Sequence, residues 1–473
     1  MAARPERAAA RIHWLVAGRF SGSPTGRAWV AAAADLDAQL AAAVGEVAVT
    51  VPDRLGGAGS RTVTLRPTSL RAFTLAGMIE AVEPLQRLRA LAERPPAGAA
   101  AAEAVEKLVG PGKLAAACAA GPVKPALEAA IFGTALDLLS AEPLRSLEAS
   151  WRGLKLLLAA CPEGAGLEVE LLDALPDDVP AALRARPASD AFDEPDAILV
   201  TEPVASLDAL VALADVAEEL LAPCLASPEP ALLGAAGAEA LAEWAARGEP
   251  AVAAWEALRE SGAARWLCCP VNPPLLHAEG AGAYRRVVLG SPTWPVAAML
   301  SASYRAQGAF ARCVGKAGAL QAPATATVAS GPQRGRVAPT EAFLPIPAQA
   351  ALARQGLLGL GSVLDSDRIV LAEAPMAAKG ATVAPLPAQL LTGRIVRFAR
   401  WAKGQIAPSM TQDEVSALLV EAAGIFLFPG MPGAAAVGAR LKDEGGVRSL
   451  EFGAKVAGSH ALQPLEIAFE LPL

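Results

Sequence analysis

Leu138 to Leu158 reads LLSAEPLRSLEASWRGLKLLL, and the fold can be worked outward from it. Leu144, Leu147, Trp151, Leu154 and Leu158 recur at steps of three and four. On a helix this spacing makes one apolar stripe. Ser140 is placed to cap the helix, and Pro143 suits the first turn, where its missing N–H is not needed. Arg145, Glu148, Arg152 and Lys155 fall mostly off the stripe, with Glu148 and Arg152 in the order that favours an ion pair. Periodicity alone predicts a core helix with Trp151 as a buried anchor.

The chain has 473 residues, enough for two or three domains around a large core. Its hydrophobic fraction is 53% but its aromatic fraction only 4%, so that core is expected to be built from Ala, Leu and Val. No strongly apolar run reaches the roughly 18 residues of a membrane span, so no membrane insertion is expected. The opening MAARPERAAARIHW lacks an apolar core with a cleavage site, so no secretory signal is expected. Cys118, Cys161, Cys224, Cys268, Cys269 and Cys313 make no C-x-x-C spacing and read as buried thiols in a reducing compartment. Net charge is −7, yet residues 1–95 are net basic and the remainder acidic. Between Glu279 and Glu341 there are seven cations and no acid, a pattern of a surface that meets an acidic partner or of a solvated basic face.

In chain order, RIHWLVAG at 11–18 reads as a strand, RFSGSPTG as a turn and residues 29–44 as an alanine-rich helix. Glu46–Val51 and Arg61–Leu65 alternate as strands around DRLGGAGS, and a helical segment follows from Thr68. Residues 96–135 are rich in Ala, Pro and Gly and read as a linker with one or two short helices. Beyond the opening helix, strands at Leu167–Leu172 and Ala197–Thr201 and a helix at Glu202–Leu221 alternate in the α/β manner. Ala264–Cys269 reads as a strand, and Leu357–Leu364 with Arg368–Leu371 as two strands around Asp365-Ser366-Asp367. Leu462–Leu473, LQPLEIAFELPL, is a period-two strand.

Several short motifs, in order, carry a family resemblance. LEASWRGLKLL, with Trp151, Arg152, Gly153 and Leu154, resembles a signature of the large subunit of the type VI secretion contractile sheath. Ala222-Pro223-Cys224-Leu225, Trp255 to Ser261 (WEALRES), Leu289 to Trp294 (LGSPTW), Thr340-Glu341 before Leu344-Pro345, Leu386–Lys403 with Arg397-Phe398, and the closing E-L-P follow in the family's order. Residues 1–95 more weakly resemble the small subunit, with Arg19-Phe20 in place of its acidic residue before Ser-Gly.

The resemblance implies a mixed α/β (α+β) protomer. Its parts are a small-subunit-like part at 1–95, a linker at 96–135 and a large-subunit-like body at 136–473. It also implies a structural role in a cytoplasmic helical tube. The partners it brings are further copies of the chain, an inner-tube protein, baseplate components and an AAA+ unfoldase. Protomers of that family exchange terminal strands, which makes Leu465, Ile467, Phe469 and Leu471 candidate interface residues. The shortened loop at 173–196 and the Gly/Ala/Pro-rich segment at 423–446 depart from the family and leave a non-contractile assembly open.

The residues show little chemistry. His13, His277 and His460 form no metal-binding spacing, and no phosphate loop or nucleophile elbow is present, so neither a cofactor nor a metal is expected. Arg394, Arg397, Arg400 and Lys403 recur every three residues in an acid-free window and predict a slanting basic ridge. That ridge reads as a solvated face or as an assembly surface for an acidic neighbour. Nucleic acid is disfavoured, since the body is acidic overall. The rivals to a sheath protomer are a non-polymerising sheath or baseplate accessory and an enzyme with an unrecognised site.

Overall fold

The computed structural model describes residues 12–57, 59–186, 194–248, 252–281, 283–328, 333–380, 382–427, 435–444 and 447–473. The apolar run near the start forms β1 (Ile12–Gly18), buried along its whole length. A strand apolar on both faces needs cover on both, and β1 lies inside a seven-stranded, mostly parallel sheet. The other strands are β2 (Ala28–Val30), β3 (Leu167–Asp173), β4 (Ala197–Val204), β5 (Cys224–Pro228) and β6 (Leu267–Val271). A hairpin of β7 (Leu275–Ala281) and β8 (Tyr284–Leu289) stands outside the sheet, and β9 (Leu357–Gly359) returns to it. The order is β9-β6-β5-β4-β1-β3-β2, with β2 the antiparallel member.

Alternation along β1 divides the interior. Trp14 and Val16 enter one core, Leu15 and Ala17 the other. The first core takes α1 (Val123–Ser140), α2 (Leu144–Ala160) and α4 (Thr293–Gln307); the second takes α3 (Leu207–Leu220). Helices thus cover both faces, and the fold is mixed α/β, as the strand–helix alternation predicts. A C-terminal unit follows: α5 (Leu386–Gln405), α6 (Gln412–Phe426), and an antiparallel sheet of β10 (Ala435–Glu444), β11 (Val447–Val456) and β12 (Leu465–Pro472) in that order.

The opening helix is α2, and its stripe is its buried face. Trp151 is fully buried, donates its indole N–H to Phe20 O at 3.2 Å and meets the Phe20 ring edge-on at 5.8 Å between centroids. Gly153 lets α4 approach: a Cβ there would lie 2.2 Å from Trp294 Nε1. Asp173, at the end of β3, accepts the N–H groups of Phe20, Ser21 and Thr25 and the Ser21 hydroxyl at 2.6–3.1 Å, which fixes the Ser-Gly turn after β1.

Four local expectations change. Ser140 does not cap α2; it is the last residue of α1, and α2 starts after Pro143. Glu202 to Val204 extend β4, so α3 begins only after Ser206, whose hydroxyl accepts the Ala209 N–H at 3.2 Å. The helix expected over 29–44 spans Leu36–Val44, because Ala28–Val30 pair with β3. The stretch 96–135 holds helices at Ala99–Val109 and Lys113–Ala120 and most of α1, more order than a linker with one or two short helices. Alanine is the strongest helix former, and here it also buries: Ala101, Val105, Leu114 and Leu127 join the same core as Trp151. The N-terminal part is therefore continuous with the body, sharing both its central sheet and its core.

Candidate assembly interface

The C-terminal unit is rooted on the body by a buried charge cluster. Arg394 and Arg397, three apart on α5, both reach Asp196, just before β4. Arg394 Nη1 lies 3.0 and 2.9 Å from the two carboxylate oxygens, and Arg397 Nη2 lies 2.5 Å from one of them. The His13 backbone N–H donates to the same carboxylate at 2.9 Å. Arg394 also donates to Phe426 O at the end of α6, and Arg397 to the carbonyls of Glu194 and Pro195. Burial by itself would push the Asp196 carboxyl up; the two guanidinium charges overcome it and hold the group below its ordinary value.

The expected basic ridge is therefore split. Arg394 and Arg397 are each 5% exposed and spend their charge inside the protomer, so they offer nothing to an acidic neighbour. Arg400 and Lys403 are exposed. A step of three on a 3.6-residue helix rotates each successive side chain backward, so a row of four cannot keep to one face. Phe398, from the same motif, is fully buried and packs on Trp401 and on Phe452 of β11 at 5.6 and 6.0 Å between centroids.

The C-terminal sheet has one dry face. Leu465, Ile467, Phe469 and Leu471 of β12 are half-buried and pack against the protomer's own core, while Glu466, Ala468 and Glu470 are exposed. The rings of Phe452 and Phe469 meet in a tilted contact across β11 and β12, 5.5 Å between centroids. The four apolar residues expected at an interface thus already face an interior. What β12 leaves open is its backbone edge, since among the described residues no strand lies beyond it. Across the wet face Lys442 lies 3.4 Å from Glu451 and 3.8 Å from Glu470, and Lys455 pairs with Glu466 at 2.6 Å.

The other family-motif residues build structure. Glu148 is 1% exposed rather than on a wet face, bound by Arg152 from α2 and by Arg286 from β8, each at 2.7 Å. Arg286, counted above among cations of a basic surface, also holds Glu279 at 2.7 Å and is 9% exposed in its side chain. Arg259, from the WEALRES motif, is buried and donates to the carbonyls of Ala377 and Arg354. Glu341 lines a cleft of about 520 Å³ outside the carboxyl ends of β4, β5 and β6, together with Glu202, Glu229 and Asn272. No histidine lines it. His13, His277 and His460 sit on β1, on β7 and in the short helix Gly458–Ala461, and among the described residues no group of His, Cys, Asp and Glu could hold a metal. No helix among the described residues is long and apolar enough to cross a membrane.

One histidine gives a pH test. His13 Nε2 lies 2.9 Å from Glu170 Oε2. Burial disfavours the imidazolium, but Glu170, Asp196 and Glu168 outweigh it, and the His13 pKa is raised above its ordinary 6.5. Against its own burial, the bonds from His13 and Arg186 pull Glu170 down to about 2. A raised histidine contributes stability that is full below 6.5 and lost as pH climbs through the higher folded value. The melting temperature is therefore expected to fall as pH rises above about 6.5 and through the raised folded value, and His13→Gln to flatten that part of the profile. Identical slopes for the two proteins would refute the assignment.

Two residues that matter here carried little sequence signal. Asp196 stands directly before the apolar run AILVT, a weak hint that a charge is being buried. Gln412 follows Thr411 in a capping box with Glu414, which is legible, but its amide also donates to Ala439 O at 2.8 Å and accepts the Leu441 N–H at 2.7 Å. Nothing in the sequence announces that tertiary contact.

No protein-family model matches the sequence, and no curated protein matches it. Solved structures do show similarity. A chain of the anti-feeding prophage (AFP) baseplate aligns at 14% identity and TM-score 0.36, covering 62% of this chain and 70% of its own. A chain of the PVC sheath complex, an extracellular contractile injection system in the contracted state, aligns at 11% identity and TM-score 0.36, covering 68% and 77%. A chain of the AFP helical sheath in the contracted state aligns at 10% identity and TM-score 0.39, covering 100% of this chain and 94% of its own.

Proposed function

We propose that this chain is a structural protomer of a helical, contractile-sheath-like tube of a type VI secretion or related injection apparatus, with small- and large-subunit-like parts fused in one polypeptide. On this reading its partners are further copies of itself, an inner-tube protein and baseplate components. The observation that carries the proposal is the C-terminal three-stranded sheet. It is rooted on the body by α5, the helix bearing the R-F motif, and it ends in β12, whose outer edge pairs with no strand among the described residues. An unpaired edge offers main-chain hydrogen bonds to a neighbour while the body keeps its own fold. The ordered motifs support the same reading, since Trp151, Gly153, Arg397 and Phe398 serve packing and anchoring.

The test is direct. Purified full-length protein, with and without candidate inner-tube protein, is expected to give tubes or helical fragments in negative-stain images across a salt and concentration series. Deletion of Leu465–Leu473 is expected to abolish them, and to lower the melting temperature as well, because those residues also pack on the protomer's own core. Discrete particles of the intact chain under all conditions would favour the accessory reading instead. Undiminished polymerisation by the deletion variant would sink the role given to β12.

A further inference from the structure

The two edges of the C-terminal sheet are unlike, and the difference specifies how copies join. In an antiparallel strand, successive residues point their N–H and C=O groups to opposite sides. The amide of Gln412 accepts from Leu441 N–H and donates to Ala439 O, so the odd-numbered residues of β10 face its outer edge. The even-numbered ones then bond β11, and the register passes this pattern on through Arg440↔Glu451 and Leu450↔Leu471 to β12. Leu473 N–H donating to Arg448 O agrees with it. The groups on the open edge of β12 are therefore those of Glu466, Ala468 and Glu470, and Pro472, which has no N–H, ends the run.

Gln412 imitates something definite. One donor and one acceptor that bracket residue 440 are what a single residue of a parallel strand would present. The second amide hydrogen goes to Ser416 Oγ at 2.7 Å, so the whole amide is used. β10 and β12 run parallel within one protomer, because each is antiparallel to β11. A neighbouring copy that extends the sheet in the same sense would therefore bring its β12 alongside β10 in parallel.

Charge selects between pairings. Two copies joined β12 to β12 about a two-fold would place Glu466 opposite Glu470, like charge against like. In the parallel arrangement, Ala468 takes the place of the Gln412 amide, opposite Arg440. Arg440 then lies between Glu466 and Glu470 of the neighbour, and Lys442 beside its Glu470. Arg440 is exposed and makes no ion pair among the described residues. At this register Val437, Ala439 and Leu441 meet Leu465, Ile467 and Phe469 on the dry face.

We infer that the outer edge of β10 receives β12 of a second copy, in parallel and with Ala468 opposite Arg440, and that Gln412 is a side-chain plug which the incoming strand displaces. Such a contact is heterologous, with different surfaces meeting on the two copies, and it generates an open helix rather than a closed dimer. The inference rests on the proposed polymer and adds its register and polarity.

The experiment uses full-length chains. All six native cysteines are buried, so introduced thiols report alone. Arg440→Cys and Ala468→Cys proteins, mixed under assembly conditions with mild oxidant, are expected to give a disulfide-linked dimer in the pelleted fraction, and each alone none. Gln412→Ala, which keeps the Thr411–Glu414 cap, is expected to lower the concentration needed for assembly severalfold. Arg440→Glu is expected to raise it about tenfold, and adding Ala468→Lys, which sets a cation opposite the new carboxylate, to restore it. Tubes that form without the cross-link, with Arg440→Glu indifferent or with Gln412→Ala assembling less readily, would overturn this register while leaving the polymer intact. Absence of tubes from the unmodified chain would count against the polymer itself.

Discussion

Asp196→Asn is expected to lower the free energy of unfolding by about 3–5 kcal/mol, the usual cost of removing one partner of a buried charge cluster. The loss is large because the carboxylate is shared. Two guanidinium groups and one backbone N–H meet it, and the change leaves two buried cations facing each other. The measurement is a denaturant midpoint followed by tryptophan fluorescence, read through Trp401 near Phe426. Combining Asp196→Asn with Arg397→Met is expected to recover part of the loss, because the uncompensated charge goes with the arginine. A single variant within about 0.5 kcal/mol of the parent, the usual range for a surface change, would show the cluster is not the root of the C-terminal unit. The carboxyl is held below its ordinary value, so its contribution is complete above that value and lost as pH falls through the lower folded one. Neutral to mildly acidic solution should leave it intact.

The second large effect is expected at Trp151. Trp151→Ala removes a fully buried indole and should cost about 3–5 kcal/mol. Trp151→Phe keeps much of the volume, and its cost should be nearer the ~1 kcal/mol of the lost hydrogen bond to Phe20 O plus a small cavity. The partner change is Gly153→Val, which has no room at all: the first added carbon would sit on the Trp294 indole. That variant is expected to be insoluble or to unfold at ordinary temperatures, because overpacking at a helix crossing forces the helices apart. A soluble Gly153→Val protein with the parent's melting temperature would contradict the close approach of α2 and α4.

How much of this was legible in advance varies by element. The stripe of α2 could be read from spacing, and so could the buried strands β1 and β4, because an unbroken apolar run needs cover on both faces. The mixed α/β class follows from their alternation with α3. The dry face of β12 is likewise a period-two pattern. Helix limits were less legible: Ser140 looks like a cap but continues α1, because nothing local marks the difference. The stretch 96–135 looks like a linker by composition, yet its alanines fill a core supplied by other segments.

The sequence by itself determined which side chains needed burial and at what period, since both depend on the residue and its near neighbours along the chain. It could not say which charges would turn inward. Arg394 and Arg397 lie on the same three-residue ladder as Arg400 and Lys403, and only the arrival of Asp196, about two hundred residues away, separates the buried pair from the exposed one. The same holds for Gln412, whose amide becomes the edge of a sheet only because α6 is placed beside β10. Apolar burial is a property of a segment. The pairing of a buried charge, or the capping of a strand edge, belongs to two segments at once and exists only when the tertiary fold has brought them together.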